Sequence, residues 1–342
     1  MDCVVKNDTF IEINRKKIGL DNPTYFIAEA GLNHNGDIKI AKKLIDEANK
    51  AGADAVKFQT YNSEEFLTTS SKYFEFFKNV ELSYEDFGEL NDYAKNTGIT
   101  FFSSPFDINS ATELKKIGVP CFKIASSDLT NLPLVKHISK MKLPMIISTG
   151  LATMEDITNT VNLCYSEDND KIALMHCVAD YPTKPEETNL LAIETMRKHF
   201  NLPIGYSDNG ESSLVDIVAV SLGANFIERH FTLDKKMNGP DHSFSISPIE
   251  LTTLISQIRL IEKIRGNGIK SPTSSELNNK IEIRKSITTR NGITKEEIFS
   301  EENLTIKRPA TGIEPKFLDQ VLGKKASKNI KKDVPLQWSD IS

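Results

Sequence analysis

Eight short apolar runs spaced about one βα unit apart, a helix-like segment after each, and the abrupt end of both patterns near residue 266 predict an α/β fold. The expected architecture is a (β/α)8 TIM barrel followed by a small β-rich domain. A barrel of this kind takes roughly 250 residues, so a chain of 342 has room for both.

The runs are YFIAEAG (25–31), AVKFQTY (55–61), TFFSSPF (100–106), CFKIAS (121–126), PMIISTG (144–150), IALMHCV (172–178), PIGYSD (203–208) and FIERHFT (226–232). Their starts lie 30, 45, 21, 23, 28, 31 and 23 residues apart, and the runs are rich in strand-favouring β-branched and aromatic residues. Between them, IKIAKKLIDEANKAGA, SATELKKIG, EDITNTVNLCYS and SLVDIVAVSLGA place apolar residues at helical spacing, and several end at a glycine suited to a left-handed cap. Strands alternating with helices pair in parallel, and eight units close a barrel. PIELTTLISQIRLIEKIRG supplies the last helix, so the barrel is assigned to residues 1–266. The interval 62–84 is longer than a connection needs and holds Phe66, Tyr73, Phe74, Phe76 and Phe77. It reads either as a lid over the site or as an extra helix packed on the rim. Residues 267–280, NGIKSPTSSELNNK, read as a flexible linker, and 281–342 as a compact domain of short strand-like runs broken by turns.

Lys and Arg number 42 against 47 Asp and Glu, a net charge of −5. Residues 281–342 hold twelve basic and nine acidic side chains, so the tail is +3 and the remainder −8. No basic excess marks a nucleic-acid binder. A hydrophobic content of 39 % excludes global disorder. The chain has no apolar run of about 18 residues, and its start, MDCVVKNDTFIEINRKK, is too polar for a secretory segment. A cytoplasmic protein with no membrane partner is expected. Cys3, Cys121, Cys164 and Cys177 lack metal-type spacing and read as reduced thiols, with Cys121 and Cys177 inside apolar runs.

Chemistry on such a barrel gathers at the C-terminal strand ends. There the sequence places Glu29, Lys57 with Gln59, Ser103 with Ser104, Lys123 with Ser126, Ser148, His176, Ser207 with Asp208, and Glu228 with His230. Charges inside apolar strands are costly unless paired or functional, which singles out Glu29, Lys57, Lys123 and Glu228. The two-residue strand repeat puts Lys57 with Gln59, and Glu228 with His230, on shared faces and turns Arg229 away as a structural residue. Two lysines with hydroxyls and backbone amides suit a small, multiply charged anion such as a phosphorylated carboxylic acid. A histidine beside carboxylates suits a divalent metal or a proton relay. Salt bridges internal to the barrel would account for the same charges. His34 either lines the site or shapes its Gly-Asn turn, and His176 is either a satisfied core histidine or a ligand. His137 and His199 fall on helices as surface residues, and Asp241 with His242 occupies a loop able to reach a substrate.

The blocks FIAEAGLNHNGD, AGADAVKFQTY, FFSSPFD, FKIASSDLTNLPL, ISTGLAT, HCVADYPT, GYSD, ERHFTLDK and GPDHSFS resemble, in order, the signature blocks of the sialic acid synthase family, which includes N-acetylneuraminate, legionaminate and pseudaminate synthases. SEENLTIKRPATGIEPKF and LGKKASKNIKKDVPL resemble that family's C-terminal antifreeze-like (SAF) domain. The resemblance implies condensation of phosphoenolpyruvate with an open-chain N-acylmannosamine-type sugar, N-acetylmannosamine or a 2,4-diacetamido-6-deoxy sugar, to a nine-carbon 2-keto acid and phosphate. It implies a divalent cofactor, usually Mn2+ with Mg2+ or Co2+ as substitutes, that polarises the sugar aldehyde. Lys57, Lys123, Ser104, Ser126, Ser148 and Ser207 match positions that hold phosphate and carboxylate. Glu29, Gln59, Tyr181 and Asp241 match positions that contact the sugar or assist proton transfer. Glu228 and His230 lie at the metal end. Arg308 matches an arginine that one subunit's tail inserts into its partner's barrel, which implies a domain-swapped homodimer.

Two positions depart from the family pattern. Asn209 stands where a second metal-binding histidine is usual, so the expected metal set is His230 with Asn209, with His176 or Asp208 able to compensate. Val178 and Ala179 replace hydroxyl or amide residues near the anion. Two other readings stand beside the synthase: a different metal-dependent barrel aldolase or lyase, and a weakened paralogue kept as a sugar-binding subunit. The wording of the blocks is closest to the legionaminate branch, and no extra phosphate-binding cluster is evident, which favours an unphosphorylated sugar.

Overall fold

The computed structural model describes residues 10–19 and 22–342, which fall into two units divided between Gly266 and Asn267. The N-terminal unit opens with a hairpin, β1 (Phe10–Ile13) and β2 (Lys16–Gly19), absent from the expectations above. Its alternating Ile11, Ile13 and Ile18 join the barrel core, and Asn14 and Arg15 turn the chain with positive φ. Asn14 Nδ2 donates to Thr100 Oγ1 at the start of a barrel strand, and Lys16 pairs with Asp54 just before another. The hairpin therefore sits at the N-terminal end of the barrel, opposite the strand ends that carry chemistry.

The barrel strands are β3 (Tyr25–Gly31), β4 (Ala55–Thr60), β5 (Thr100–Pro105), β6 (Phe122–Ile124), β7 (Met145–Ser148), β8 (Ile172–Cys177), β9 (Ile204–Asp208) and β10 (Phe226–His230). All eight expected runs form strands, trimmed by up to three residues in all. The strands pair in parallel in sequence order, and β10 closes on β3 with His230 opposite Glu29. Near-continuous burial along every strand reflects a sheet covered on both faces, inside by lumen side chains and outside by helices. Helix starts follow the capping chemistry in the sequence: Asp37, Asp107 and Thr153 accept from their first turns, and Gly98 and Gly118 end helices in the left-handed region.

Between 62 and 84 the chain forms helices Ser63–Phe66 and Phe74–Val80. Phe66 and Phe77 pack with Tyr61, Phe106 and Leu32 in a small aromatic cluster, so most of the expected aromatics serve packing on the rim. Tyr73 remains exposed.

Behind β9 and β10, Arg229 is fully buried and ion-paired to Asp208, with Asp216 at 3.5 Å. Asp208 Oδ1 also accepts the Gly210 amide at 2.8 Å. Arg229 is structural, as its place in the strand repeat suggests, and it takes Asp208 out of the set of site residues.

In the second unit β11 (Ser286–Thr289) pairs antiparallel with β12 (Leu304–Lys307) around Ile287, Phe299, Val321 and Leu336. The expected flexible linker is corrected: Ser274–Ile283 is a helix, started by a reciprocal cap between Thr273 and Glu276. The turn-forming composition of 267–280 obscured that Thr-x-x-Glu signal. Among the described residues no helix is long and apolar enough to cross a membrane. Cys121, Cys164 and Cys177 are free and buried, and Cys3 lies outside the described residues.

Two stability predictions follow from buried polar groups. Arg229→Met strands Asp208 without its partner and should cost about 3–5 kcal/mol, read from urea-unfolding midpoints. His34 is buried against Phe58, its Nδ1 accepts the Gly36 amide at 3.0 Å, and burial pulls its pKa down to about 4. It shapes the turn. Because the unfolded imidazole takes a proton near pH 6.5, stability should fall by about 3 kcal/mol as pH drops from about 6.5 to about 4, and His34→Gln should flatten that slope in pH-dependent urea titrations.

Candidate active site

At the C-terminal mouth of the barrel four buried charges alternate in sign. Lys57 Nζ lies 3.0 Å from Glu29 Oε2 and 3.6 Å from Glu228 Oε2, and donates to Ser104 Oγ at 3.1 Å. Lys123 Nζ and Ser207 Oγ both donate to Glu228 Oε1 at 3.0 Å. The strand-end lysines singled out from sequence are thus engaged in the internal salt bridges that are the other reading of the same charges.

The environment splits the two carboxylates. Burial raises the Glu29 pKa despite the opposing pull of Lys57. At Glu228 burial acts the same way, but Lys123 and Lys57 together outweigh it and bring the pKa down to about 2. Burial likewise opposes both ammonium groups; Glu228 and Glu29 overcome it at Lys57, whose pKa rises, whereas Lys123 falls. This contrast keeps Glu228 anionic and makes Glu29 the more readily protonated of the two.

Beside the quartet lies a second cluster. β3 ends in an irregularity between Glu29 and Gly31, where Gly31 adopts φ +50°. A Cβ at Gly31 would come within 3.3 Å of Glu29 Oε1 and 3.5 Å of both Asp241 Oδ2 and Gln59 Nε2, so the bare glycine leaves a polar cradle open. Gln59 Nε2 donates to Glu29 Oε1 at 3.2 Å. Across the cradle, His230 Nδ1 is buried without a hydrogen-bond partner, 3.7 Å from Asp241 Oδ2. The edge-on rings of Tyr181 and Phe244 hold the imidazole, with centroids 6.1 and 5.2 Å away.

The remaining hydroxyls line the side of β6 to β9. Ser126 Oγ accepts the Gly150 amide at 3.0 Å, and Ser148 Oγ is buried without a partner. Burial pushes the Cys177 thiol pKa up, so it stays protonated beside Ser126 and Ser207. Asn209 Nδ2 donates to Val178 O at 2.8 Å and to Cys177 Sγ at 3.4 Å.

Several candidates lie elsewhere. Ser103 pairs with Thr60 at 2.7 Å on the opposite strand face. His176 is satisfied by the Thr188 carbonyl at 2.7 Å and, with Cys177, Val178 and Ala179, lines a cavity of about 600 Å3. His242 is buried between Thr232 Oγ1 at 2.7 Å and Asn35 Oδ1 at 3.2 Å, so it anchors its loop while Asp241 reaches the site. His137 meets Thr112, and His199 is exposed. Arg308 is an exposed residue of the second unit. Gly31, Cys177 and Phe244 were missed. The strand repeat places Cys177, not His176, on the lumen face; neither Gly31 nor Phe244 carries a titratable group to draw notice.

Among the described residues no three His, Cys, Asp or Glu side chains gather into a metal cage. A divalent cation nonetheless fits the cradle, where an orphaned imidazole nitrogen faces a carboxylate oxygen. Ions such as Mg2+ keep several water ligands and need few from protein.

Residues 44–270 match the NeuB family model and residues 284–342 the SAF domain model. The chain is 43 % identical to the N,N'-diacetyllegionaminic acid synthase of Campylobacter jejuni, covering 91 % of this chain and 98 % of that one. It is 35 % identical to the pseudaminic acid synthase of the same strain, over 94 % of this chain and 97 % of that one. The N-acetylneuraminic acid synthetase of Leptospira borgpetersenii, solved in complex with citrate, superposes with a TM-score of 0.76 at 38 % identity, covering 79 % of this chain and 94 % of the other. With the strand-end site borne by a closed eight-stranded barrel, these matches identify the chain as a member of the NeuB family of nonulosonic acid synthases, carrying a C-terminal SAF domain.

Proposed function

We propose that the chain condenses phosphoenolpyruvate with the open form of an N-acylmannosamine-type sugar to give a nine-carbon 2-keto acid and phosphate. The observation that carries this reading is the pair of buried lysines, Lys57 and Lys123, flanked by Ser104, Ser126, Ser148 and Ser207. An anion with a phosphate and a carboxylate offers each lysine a new partner and gives the unpartnered Ser148 hydroxyl an acceptor. The quartet is neutral by itself, so binding trades lysine–glutamate contacts for lysine–substrate contacts.

Gln59, Tyr181 and the cradle at Gly31 would orient the sugar, with its aldehyde toward His230. A divalent cation, Mn2+ in this reading, would be held at His230 and would polarise that aldehyde. C3 of phosphoenolpyruvate forms the new C–C bond, and the aldehyde oxygen takes up a proton. Water adds at C2 and releases a proton, and the C2–O bond to phosphate then breaks, leaving the ketone. Glu29, with its raised pKa beside Gln59, suits the carrier of that proton. Glu228 stays ionised and holds both lysines until the anion takes its place.

The favoured sugar is an unphosphorylated 2,4-diacetamido-6-deoxymannose, on the strength of the legionaminate-like blocks and the Campylobacter relative. In the same reading the enzyme is cytoplasmic and works as a homodimer in which Arg308 completes the partner's barrel.

Phosphate release from phosphoenolpyruvate should require both a sugar of this class and Mn2+; release with no sugar in a panel of N-acyl mannosamines would overturn the reading. The acidic limb of kcat/KM should lie above the ordinary carboxylate range, because the base form of Glu29 is lost as pH falls through its raised pKa. Glu29→Gln should lower kcat by roughly a hundredfold or more and remove that limb from the pH–rate profile.

A further inference from the structure

We propose that Asp241, rather than Asn209, joins His230 in holding the divalent cation. The assignment rests on reading the barrel as a metal-assisted synthase, and it concerns which side chain supplies the second donor.

Charge balance gives the first argument. Glu29 is paired with Lys57, and Glu228 with both Lys123 and Lys57. Asp241 is the one carboxylate of the site that forms no ion pair with a lysine or arginine among the described residues; the His230 imidazole stands 3.7 Å away, and Lys57 and Glu29 act on it with opposite signs without pairing. A cation entering the cradle therefore meets a carboxylate that no lysine or arginine pairs directly.

Geometry gives the second. The His230 side chain is only 8 % exposed and its Nδ1 has no hydrogen-bond partner, a costly state unless something else uses that lone pair or proton. Tyr181 and Phe244 pack edge-on against the ring and direct it. Asp241 is held just as firmly: its carbonyl accepts from the Ser245 amide at 3.1 Å and Ser245 Oγ at 2.6 Å, and that hydroxyl also takes Asn33 Nδ2 at 3.0 Å. His242, next in sequence, is pinned to Thr232 and Asn35. Adjacent ligands about 2.1 Å from an octahedral ion stand roughly 3 Å apart, so the 3.7 Å between His230 Nδ1 and Asp241 Oδ2 closes on an ion with a shift below about 1 Å.

Asn209 has a different task. Its side-chain amide nitrogen must face β8, since an oxygen there would oppose the Val178 carbonyl, and its main-chain carbonyl accepts the Thr183 amide at 3.1 Å. It clamps the ends of β8 and β9 and holds Cys177 against the hydroxyl wall.

The test is Mn2+ binding to the chelator-stripped full chain without substrates, followed by the electron paramagnetic resonance signal of free Mn2+. Asp241→Asn and His230→Gln should each weaken Mn2+ binding at least tenfold, Asp241→Glu should restore part of it, and Asn209→Ala should leave it within about twofold. Circular dichroism and thermal midpoints identify a variant that fails to fold, in which case Asp241→Glu against Asn209→Ala carries the comparison. Wild-type affinity in Asp241→Asn, loss in Asn209→Ala with the fold intact, or no Mn2+ binding by the wild type overturns the proposal. Because no substrate is present, this result is independent of whether phosphate is released in turnover.

Discussion

Four charges buried in one barrel mouth must neutralise one another, and that requirement organises the rest of this molecule. An isolated lysine or glutamate at these depths would be prohibitive, so Glu29, Lys57, Glu228 and Lys123 have to meet with good geometry. They come from β3, β4, β10 and β6, so the quartet spans the closure of the barrel and reaches across its lumen. The strand register sets the meeting, with Glu29 level with Lys57 and also level with His230. Arg229 and Asp208 work behind the wall to keep β9 and β10 in step.

The same constraint makes the site chemically asymmetric. The two carboxylates end with opposite shifts because Glu228 pairs with both ammonium groups, whereas at Glu29 burial and the Glu228 charge outweigh the pull of Lys57. The quartet is neutral as a set, so a multiply charged anion that engages its lysines adds negative charge beside Glu29 and Glu228, and a proton on Glu29 or a cation entering with the substrate offsets it. The quartet leaves Asp241 and His230 3.7 Å from each other and outside the lysine salt bridges.

The barrel was legible because its strands are short apolar runs at regular spacing and its helices carry their caps in the sequence. The charged strand residues were legible for the opposite reason, since Glu29, Lys57, Lys123 and Glu228 violate the apolar pattern around them. Other features follow from rules of shorter reach. The β1–β2 hairpin has clear alternation at Ile11 and Ile13, yet its polar surroundings hid it. The helix Ser274–Ile283 announces itself through Thr273 and Glu276, within a stretch whose Gly, Pro and Ser suggested a linker. His176 and Asp208 drew notice as polar strand-end residues, although the two-residue repeat turns both away from the lumen. Partner identity was the least legible: nothing in the spacing of Asn209, Val178 and Cys177 foretells that an amide nitrogen ties them together.

The central claim is that the two lysines exchange their glutamate partners for an anionic substrate, and phosphoenolpyruvate binding tests it most directly. Isothermal titration of the wild type, Lys57→Met and Lys123→Met, each with an intact circular dichroism spectrum, measures what each ammonium contributes. The account predicts that either substitution weakens phosphoenolpyruvate binding by about tenfold or more, the loss expected for one charge-assisted hydrogen bond. Unchanged affinity in both variants would contradict it and reduce the quartet to a structural salt-bridge network.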